Sequence, residues 1–225
     1  MIYLTGDNLD ISNHMNKYFA YLLGFLWADG NIYQGKINKS IHRIVLEINE
    51  NDMNNILPYL LNGFPFTGNY TRQRKNWKPT KIINTNNKYL FKFLYENDYL
   101  NKSITPPIKI LNLIPDNLKH YWIRGYFDGD GCIYINKKNY INHIVFSSSY
   151  NYNWDFITQI LNNLNIKFNI INTISKNNNK SSALRIINKN DIIKFANYLY
   201  YDDDLICLKR KQVKIYSLYK EVCHE

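Results

Sequence analysis

Apolar residues recur along the chain with two alternating periods. Phe19, Leu22, Leu23 and Leu26 fall at helical spacing, and either Ser12 or Asn13 stands where an N-cap residue would accept the first free amide hydrogens. The period then drops to two. Ile44, Leu46 and Ile48 alternate with Arg43, Val45 and Glu47, the pattern of a half-buried strand, and two strands are expected after the first helix. A second helix is predicted over about 52–61, two more strands over about 66–74 and 77–84, and a closing helix after them. The succession then starts again. A helix ends near Gly131, Ile144 and Phe146 oppose His143, Val145 and Ser147, a helix is predicted over 152–164, and strands over 168–175 and 181–188 precede another closing helix. The tail, 208–222, reads as an extra helix.

The residues repeat along with the periods. YLLGFLWADG (Tyr21–Gly30) finds its counterpart in YWIRGYFDGDG (Tyr121–Gly131), with Asp29 and Asp130 offset by 101 residues (29 to 130). IVLEINENDMNNIL from Ile44 matches IVFSSSYNYNWDFI from Ile144 at an offset of 100 (44 to 144), and KIIN at Lys81 matches RIIN at Arg185 at 104 (81 to 185). Matches in one order at a nearly constant offset indicate an internal duplication.

The fold class is therefore α+β. Two pseudo-symmetric αββαββα halves are expected, each a four-stranded antiparallel sheet with helices on one face, joined at a two-helix seam. The halves are placed at 1–104 and 118–225, with the proline-containing segment 105–117 (Pro106, Pro107, Pro115) as linker. Such a sheet leaves its other face open, and basic residues collect on the strands: Lys36, Lys39, Arg43, Arg72, Arg74 and Lys81, then Lys137, Lys138, Lys176 and Arg185. Any one of them alone reads better as a solvated strand edge. As a set, on ribbons able to enter the major groove of duplex DNA, they point to double-stranded DNA as the partner. The balance of 28 Lys and Arg against 18 Asp and Glu, net charge +10, favours a polyanion in the same way.

Gly24 precedes Ala28 by four residues, as Gly125 precedes Gly129. Small residues at that spacing share a helix face and allow two backbones to approach. Each helix then closes on Asp-Gly, with Gly30 and Gly131 suited to a left-handed C′ position. An acid there is electrostatically unfavourable, because a helix C-terminus already carries partial negative charge. Two such acids meeting at a seam repel each other as well. A divalent cation removes both penalties. Mg²⁺, which takes one or two protein carboxylates and completes its shell with water and phosphate oxygens, suits the site and suits phosphodiester hydrolysis. The plainer reading, in which each Asp merely ends a helix in a polar turn, fits one motif better than it fits two at equivalent positions.

LLGFLWADG (Leu22–Gly30) and IRGYFDGDG (Ile123–Gly131) resemble the two copies of the LAGLIDADG motif of homing endonucleases, and the doubled element order extends the resemblance over nearly the whole chain. The second copy is the more specific; in the first, Trp27 replaces the sixth-position Asp, while the eighth-position acid is intact in both. The resemblance implies a single-chain, monomeric, metal-dependent DNA endonuclease. It would bind a long asymmetric duplex site across both sheets and hydrolyse one phosphodiester per strand, with Asp29 and Asp130 as catalytic acids and metal ligands. It implies further that the backbone carbonyls of Ala28 and Gly129 help to hold metal, and that Lys102 and Lys209 are the basic residues beside the two acids. Glu50 and Tyr150 would occupy the variable, water-organising position after the second strand. Mn²⁺ is expected to substitute for Mg²⁺, and Ca²⁺ to permit binding without cutting. A maturase that binds host intron RNA, or a cleavage-inactive DNA-binding protein on the same scaffold, is the alternative implied by the family.

The remaining composition excludes more than it adds. No run approaches the roughly 18 apolar residues of a membrane span, and the N-terminus lacks the charged-then-apolar order of a signal peptide. An intracellular protein is expected, in a bacterial or phage cytoplasm or an organelle with an AT-rich genome. Cys132, Cys207 and Cys223 have no zinc-binding spacing, and the five histidines form no nuclease-like cluster.

Overall fold

The first long helix is apolar on every side, and a helix of that kind must be covered on every side. The computed structural model, which describes residues 14–35, 42–136, 141–149, 151–175, 178–201 and 206–220, covers it fully. In α1 (Lys17–Asp29), each residue from Phe19 to Trp27 is buried. Its N-cap is Asn16, whose side-chain oxygen accepts from the amides of Tyr18 and Phe19 at 2.9 and 3.0 Å. The sequence-expected caps Ser12 and Asn13 lie outside the described residues.

The first half continues through β1 (Gly30–Gln34), β2 (His42–Asn49), α2 (Glu50–Gly63), β3 (Gly68–Arg72), β4 (Thr80–Thr85) and α3 (Lys88–Glu96). The segment expected as linker folds in part into a short helix, α4 (Ile108–Leu113), because Ile110, Leu111 and Ile114 have a core to join. The second half comprises α5 (Asp116–Asp130), β5 (Cys132–Asn136), β6 (Ile141–Ser149), α6 (Asp155–Asn163), β7 (Asn169–Ile174), β8 (Lys180–Ile186) and α7 (Lys189–Tyr200), and α8 (Lys209–Lys220) follows. The doubled αββαββα order is therefore observed. Both sheets are four-stranded and antiparallel, in the orders β1-β2-β4-β3 and β5-β6-β8-β7.

Strand parity sorts the side chains. Ile44, Leu46 and Ile83 in one sheet, and Ile144, Phe146, Leu184 and Ile186 in the other, face the helices and are fully buried. The opposite parity faces away from the helices. Among the described residues, no helix is long and apolar enough to cross a membrane.

The seam is α1 against α5. A Cβ on Gly24 would run into the Trp122 carbonyl, and one on Gly125 into the Tyr21 carbonyl. A Cβ on Gly129 would overlap that of Ala28. The small-residue spacing thus marks real backbone contact. Gly30 and Gly131 are small because each closes tightly on its own helix, not for left-handed geometry. Their φ values are −68° and −66°, ordinary extended backbone, but a Cβ on Gly30 would sit 2.5 Å from the Leu26 carbonyl oxygen, and one on Gly131 would overlap the Phe127 ring. Left-handed backbone occurs instead at Asn76, Asp98, Asn151, Asn165 and Asn178, the residue types other than glycine that tolerate it best.

Candidate active site

Because α1 and α5 pack side by side and both end on an acid, Asp29 and Asp130 converge at one end of the seam. Asp29 Oδ2 lies 3.2 Å from where a Gly129 Cβ would stand, so the carboxylate of one half rests on the motif backbone of the other. Solvent reaches both acids, yet the surrounding protein is dense enough to penalise their charge. The Asp130 carboxyl is pushed up to about 6, by burial first and by the negative charge of Asp29 second. Asp29 is raised as well, chiefly by burial; Lys211, Lys102 and Arg210 oppose the shift, and Asp52 adds to it.

The helix ends are capped by ammonium groups. Lys102, in the turn after α3, donates from Nζ to the carbonyls of Leu26, Ala28 and Gly30 at 3.0, 2.8 and 2.6 Å. Lys211 on α8 does the same at the other helix, to Phe127, Gly129 and Gly131 at 2.6, 3.2 and 2.5 Å. A cation at each C-terminus satisfies carbonyls that the helix leaves free and offsets the dipole that disfavours the acids. Burial brings both lysines down to about 8, while the two aspartates and, for Lys211, Asp128 hold them up.

The surroundings of Asp29 combine β2 with residues of α2, α5 and α8. Asp29 shares a cleft with Glu47, Asn49, Asp52, Asp128 and Arg210. Glu47 points from β2 into this cleft and accepts from Arg72 at 2.9 Å, Thr80 at 2.7 Å and Arg74 at 3.4 Å. Asp128 is a fully buried carboxylate. Its oxygens accept from the Tyr21 hydroxyl at 2.8 Å, the Leu208 amide at 2.8 Å and the Tyr200 hydroxyl at 3.3 Å, which fixes the start of α8 and so the approach of Lys211. Burial raises the Asp128 carboxyl; Lys211 and the Leu208 amide oppose the shift.

Residues 117–200 match the family model described as a LAGLIDADG-like domain. Over these residues the chain is similar to a LAGLIDADG-like domain. The whole chain has the fold of the LAGLIDADG homing endonucleases. It superimposes on I-WcaI bound to its DNA recognition sequence with a TM-score of 0.60, at 21% identity over 95% of each chain. For I-AabMI bound to uncleaved DNA the TM-score is 0.54, at 13% identity over 93% of this chain and 91% of that one. For I-DmoI in complex with DNA and calcium it is 0.53, at 17% identity over 93% and 100%. In sequence, the chain is 28% identical over 184 residues to the uncharacterized protein MJ0314 of Methanocaldococcus jannaschii. The match takes in 77% of this chain and 63% of that relative, so this chain spans less than two thirds of the relative's length.

Against this LAGLIDADG geometry, several sequence expectations need correction. The lysine at the second motif is Lys211, not Lys209: Lys209 is exposed, and its Nζ reaches Gln212 Oε1 at 3.5 Å. Glu50 does not face the acids. It opens α2, so its side chain turns to the helix side of the sheet and accepts from Thr71 at 2.9 Å, whereas Glu47 and Asn49 face the cleft. Lys81 pairs with Ile48 across β2 and β4 and therefore shares the helix-side parity; its ammonium bonds Asn54 of α2 at 2.9 Å. Arg43, Arg72 and Arg185 do occupy the open parity, and Arg74 joins Arg72 on Glu47. Lys36, Lys39, Lys137, Lys138, Lys176 and Tyr150 lie outside the described residues. The carbonyls of Ala28 and Gly129 each already accept from a lysine, which leaves one lone pair apiece for any further ligand.

Proposed function

We propose that the chain is a site-specific, metal-dependent DNA endonuclease that acts as a monomer and hydrolyses one phosphodiester in each strand of a long asymmetric duplex. The observation that carries this reading is the convergence of Asp29 and Asp130, each flanked by a buried lysine, between two open sheet faces with arginines on them. An acid pair held together this closely offers a divalent cation two carboxylates at once.

The donor set suits a hard ion. Among the described residues there is no cluster of three or more His, Cys, Asp or Glu side chains of the kind zinc requires. Two carboxylates with carbonyl oxygens beside them fit Mg²⁺ or Mn²⁺, which complete their shells with water and substrate phosphate. Asp29 and Asp130 would hold the ion, which when bound supplies an activated water and charge stabilisation on the leaving oxygen. The chain's own residues do the rest. Lys102 and Lys211 present positive charge where negative charge builds on the phosphate. Arg43, Arg72, Arg74 and Arg185 dock the duplex and read it from the open faces. The structures of I-DmoI with DNA and calcium, and of an I-DmoI variant with its target DNA in the presence of manganese, support this choice of ion.

A cleavage selection tests the reading. The protein is incubated with a large duplex library containing its gene's flanking sequence, in Mg²⁺ and separately in Ca²⁺, and both the ends and the bound fraction are sequenced. Discrete Mg²⁺-dependent ends at one long asymmetric sequence are expected. Bound duplex without ends in Mg²⁺ would overturn the endonuclease reading in favour of a binding protein.

A further inference from the structure

At the seam, a residue of each half holds the lysine-bearing segment of the other. Asp52 on α2 of the first half lies 2.9 and 2.8 Å, through its two oxygens, from Arg210 Nε, and Arg210 immediately precedes Lys211. Tyr152, just before α6 in the second half, donates to the Thr105 carbonyl at 3.1 Å, three residues after Lys102. Asp52 and Tyr152 are separated by the repeat's own offset (52 to 152). Neither contact lies within a half.

We infer that Asp52 and Arg210 form a clasp across the seam that positions Lys211 at the end of α5, beside Asp130, and that Tyr152 and Thr105 form its counterpart for Lys102 at the end of α1, beside Asp29. This inference rests on the endonuclease reading. Each candidate site then has its acid and lysine from one half and the contact that holds the lysine's segment from across the seam.

The clasps differ in kind. Tyr152 is 6% exposed and packs edge-on against Trp154 and Phe156. The Arg210 side chain is 58% exposed, and half-exposed ion pairs are weak and screened by salt. Asp52 and Arg210 are therefore positioning residues for one strand only, and disturbing them should separate the two cuts.

The test scores each strand separately on supercoiled plasmid carrying the selected target, for wild type, Asp52→Asn, Arg210→Gln and Arg210→Lys. Both charge-removing variants should accumulate nicked circle with the same strand uncut, cut about tenfold more slowly, while the other strand stays within about twofold. Arg210→Lys should recover most of the loss. Equal slowing of both strands, or a different uncut strand in the two variants, would overturn the clasp. A second measurement needs no DNA: the rate of amine acetylation at each lysine, read by mass spectrometry. Lys211 is 5% exposed and should react slowly in wild type. Asp52→Asn and Arg210→Gln should speed its labelling by about fivefold through local opening, with Lys102 unchanged. Unchanged Lys211 labelling would refute the clasp. If wild type cuts no duplex but Lys211 labelling responds as expected, the clasp stands and the endonuclease reading falls.

Discussion

On its open sheet face the first half gathers Arg43, Arg72 and Arg74, the latter two tied to Glu47, with Tyr33 and Tyr70 exposed beside them. The corresponding face of the second half presents Arg185, Tyr134 stacked on His143 at 4.7 Å, and small residues such as Ser147, Ser181 and Ala183. The strand order is the same in both sheets, and so is the lysine cap at each motif helix. The open faces thus differ more than the backbone plan does. Under the endonuclease reading proposed above, the backbone plan and the helix-end chemistry are held in common because both acids depend on them, whereas a face that reads an asymmetric duplex gains nothing from symmetry. The described part of the first face is rich in charge; that of the second presents small and aromatic side chains.

The comparison can be broken most sharply at the feature the halves share. Asp29→Asn and Asp130→Asn should each lower double-strand cleavage by about 10²-fold or more while duplex binding in Ca²⁺ is retained. Linearisation of plasmid and gel shift measure the two, and a variant that still linearises at the wild-type rate would remove its acid from the site. Next come the lysines. Lys102→Met and Lys211→Met should each cost about 10²-fold in cleavage, and Lys209→Met should stay within about twofold. If Lys209→Met proved the damaging change, the placement of α8 would be wrong. The faces themselves should separate more gently. Arg72→Ala should weaken binding by about 1–3 kcal/mol if it reads a base edge, concentrated at one target position, or lower the salt slope by about one if it contacts phosphate. Arg185→Ala should show its effect in the opposite half-site, and titrations on targets altered in one half-site decide this.

The smallest effect is on stability. Folded Asp130 holds its proton up to about pH 6, against 3.8 for an unperturbed aspartate. Between those values the folded chain binds more protons than the unfolded one, so stability falls as pH rises through this window, and the cost is complete above it. In metal-free buffer, Asp130→Asn should therefore raise Tm at pH 7.5 and leave it unchanged at pH 4. A Tm that drops at pH 7.5 would mean the carboxylate stabilises the fold.

The duplicated architecture was legible because the switch between periods of 3.6 and 2 occurs in the same order in both halves, and the acid pair because its spacing recurs. Side-chain direction was harder to read. In KRK, Lys209 shares a helix face with Val213 and Lys211 with Ile215. Both faces look equally apolar from sequence, yet Val213 is 65% exposed and Ile215 fully buried. KIIN hides its parity in the same way, since Ile82 and Ile83 are both buried and either register would bury one of them. Glu50 was misplaced because it was assigned by its place after the second strand rather than by parity, which it shares with Ile44, Leu46 and Ile48 as it opens α2. The role of Asp128 could not be seen at all, because its three donors come from Tyr21, Tyr200 and Leu208, far apart in the chain.

That buried carboxylate has a consequence for how the chain assembles. Asp128 takes its shortest side-chain hydrogen bond from Tyr21 of the other half, whereas the residue standing in Tyr21's place within its own half is Trp122. The seam position matching Asp128 is Trp27, which packs edge-on against Tyr99 at 4.8 Å. Two copies of the second half would set each Asp128 against a tryptophan, and two copies of the first would bring Trp27 to a seam with no carboxylate. Each half is thus the better mate for its sibling than for its twin. Severed at the linker and mixed, the fragments should sort into mismatched pairs, an orthogonality that duplication alone would not have provided.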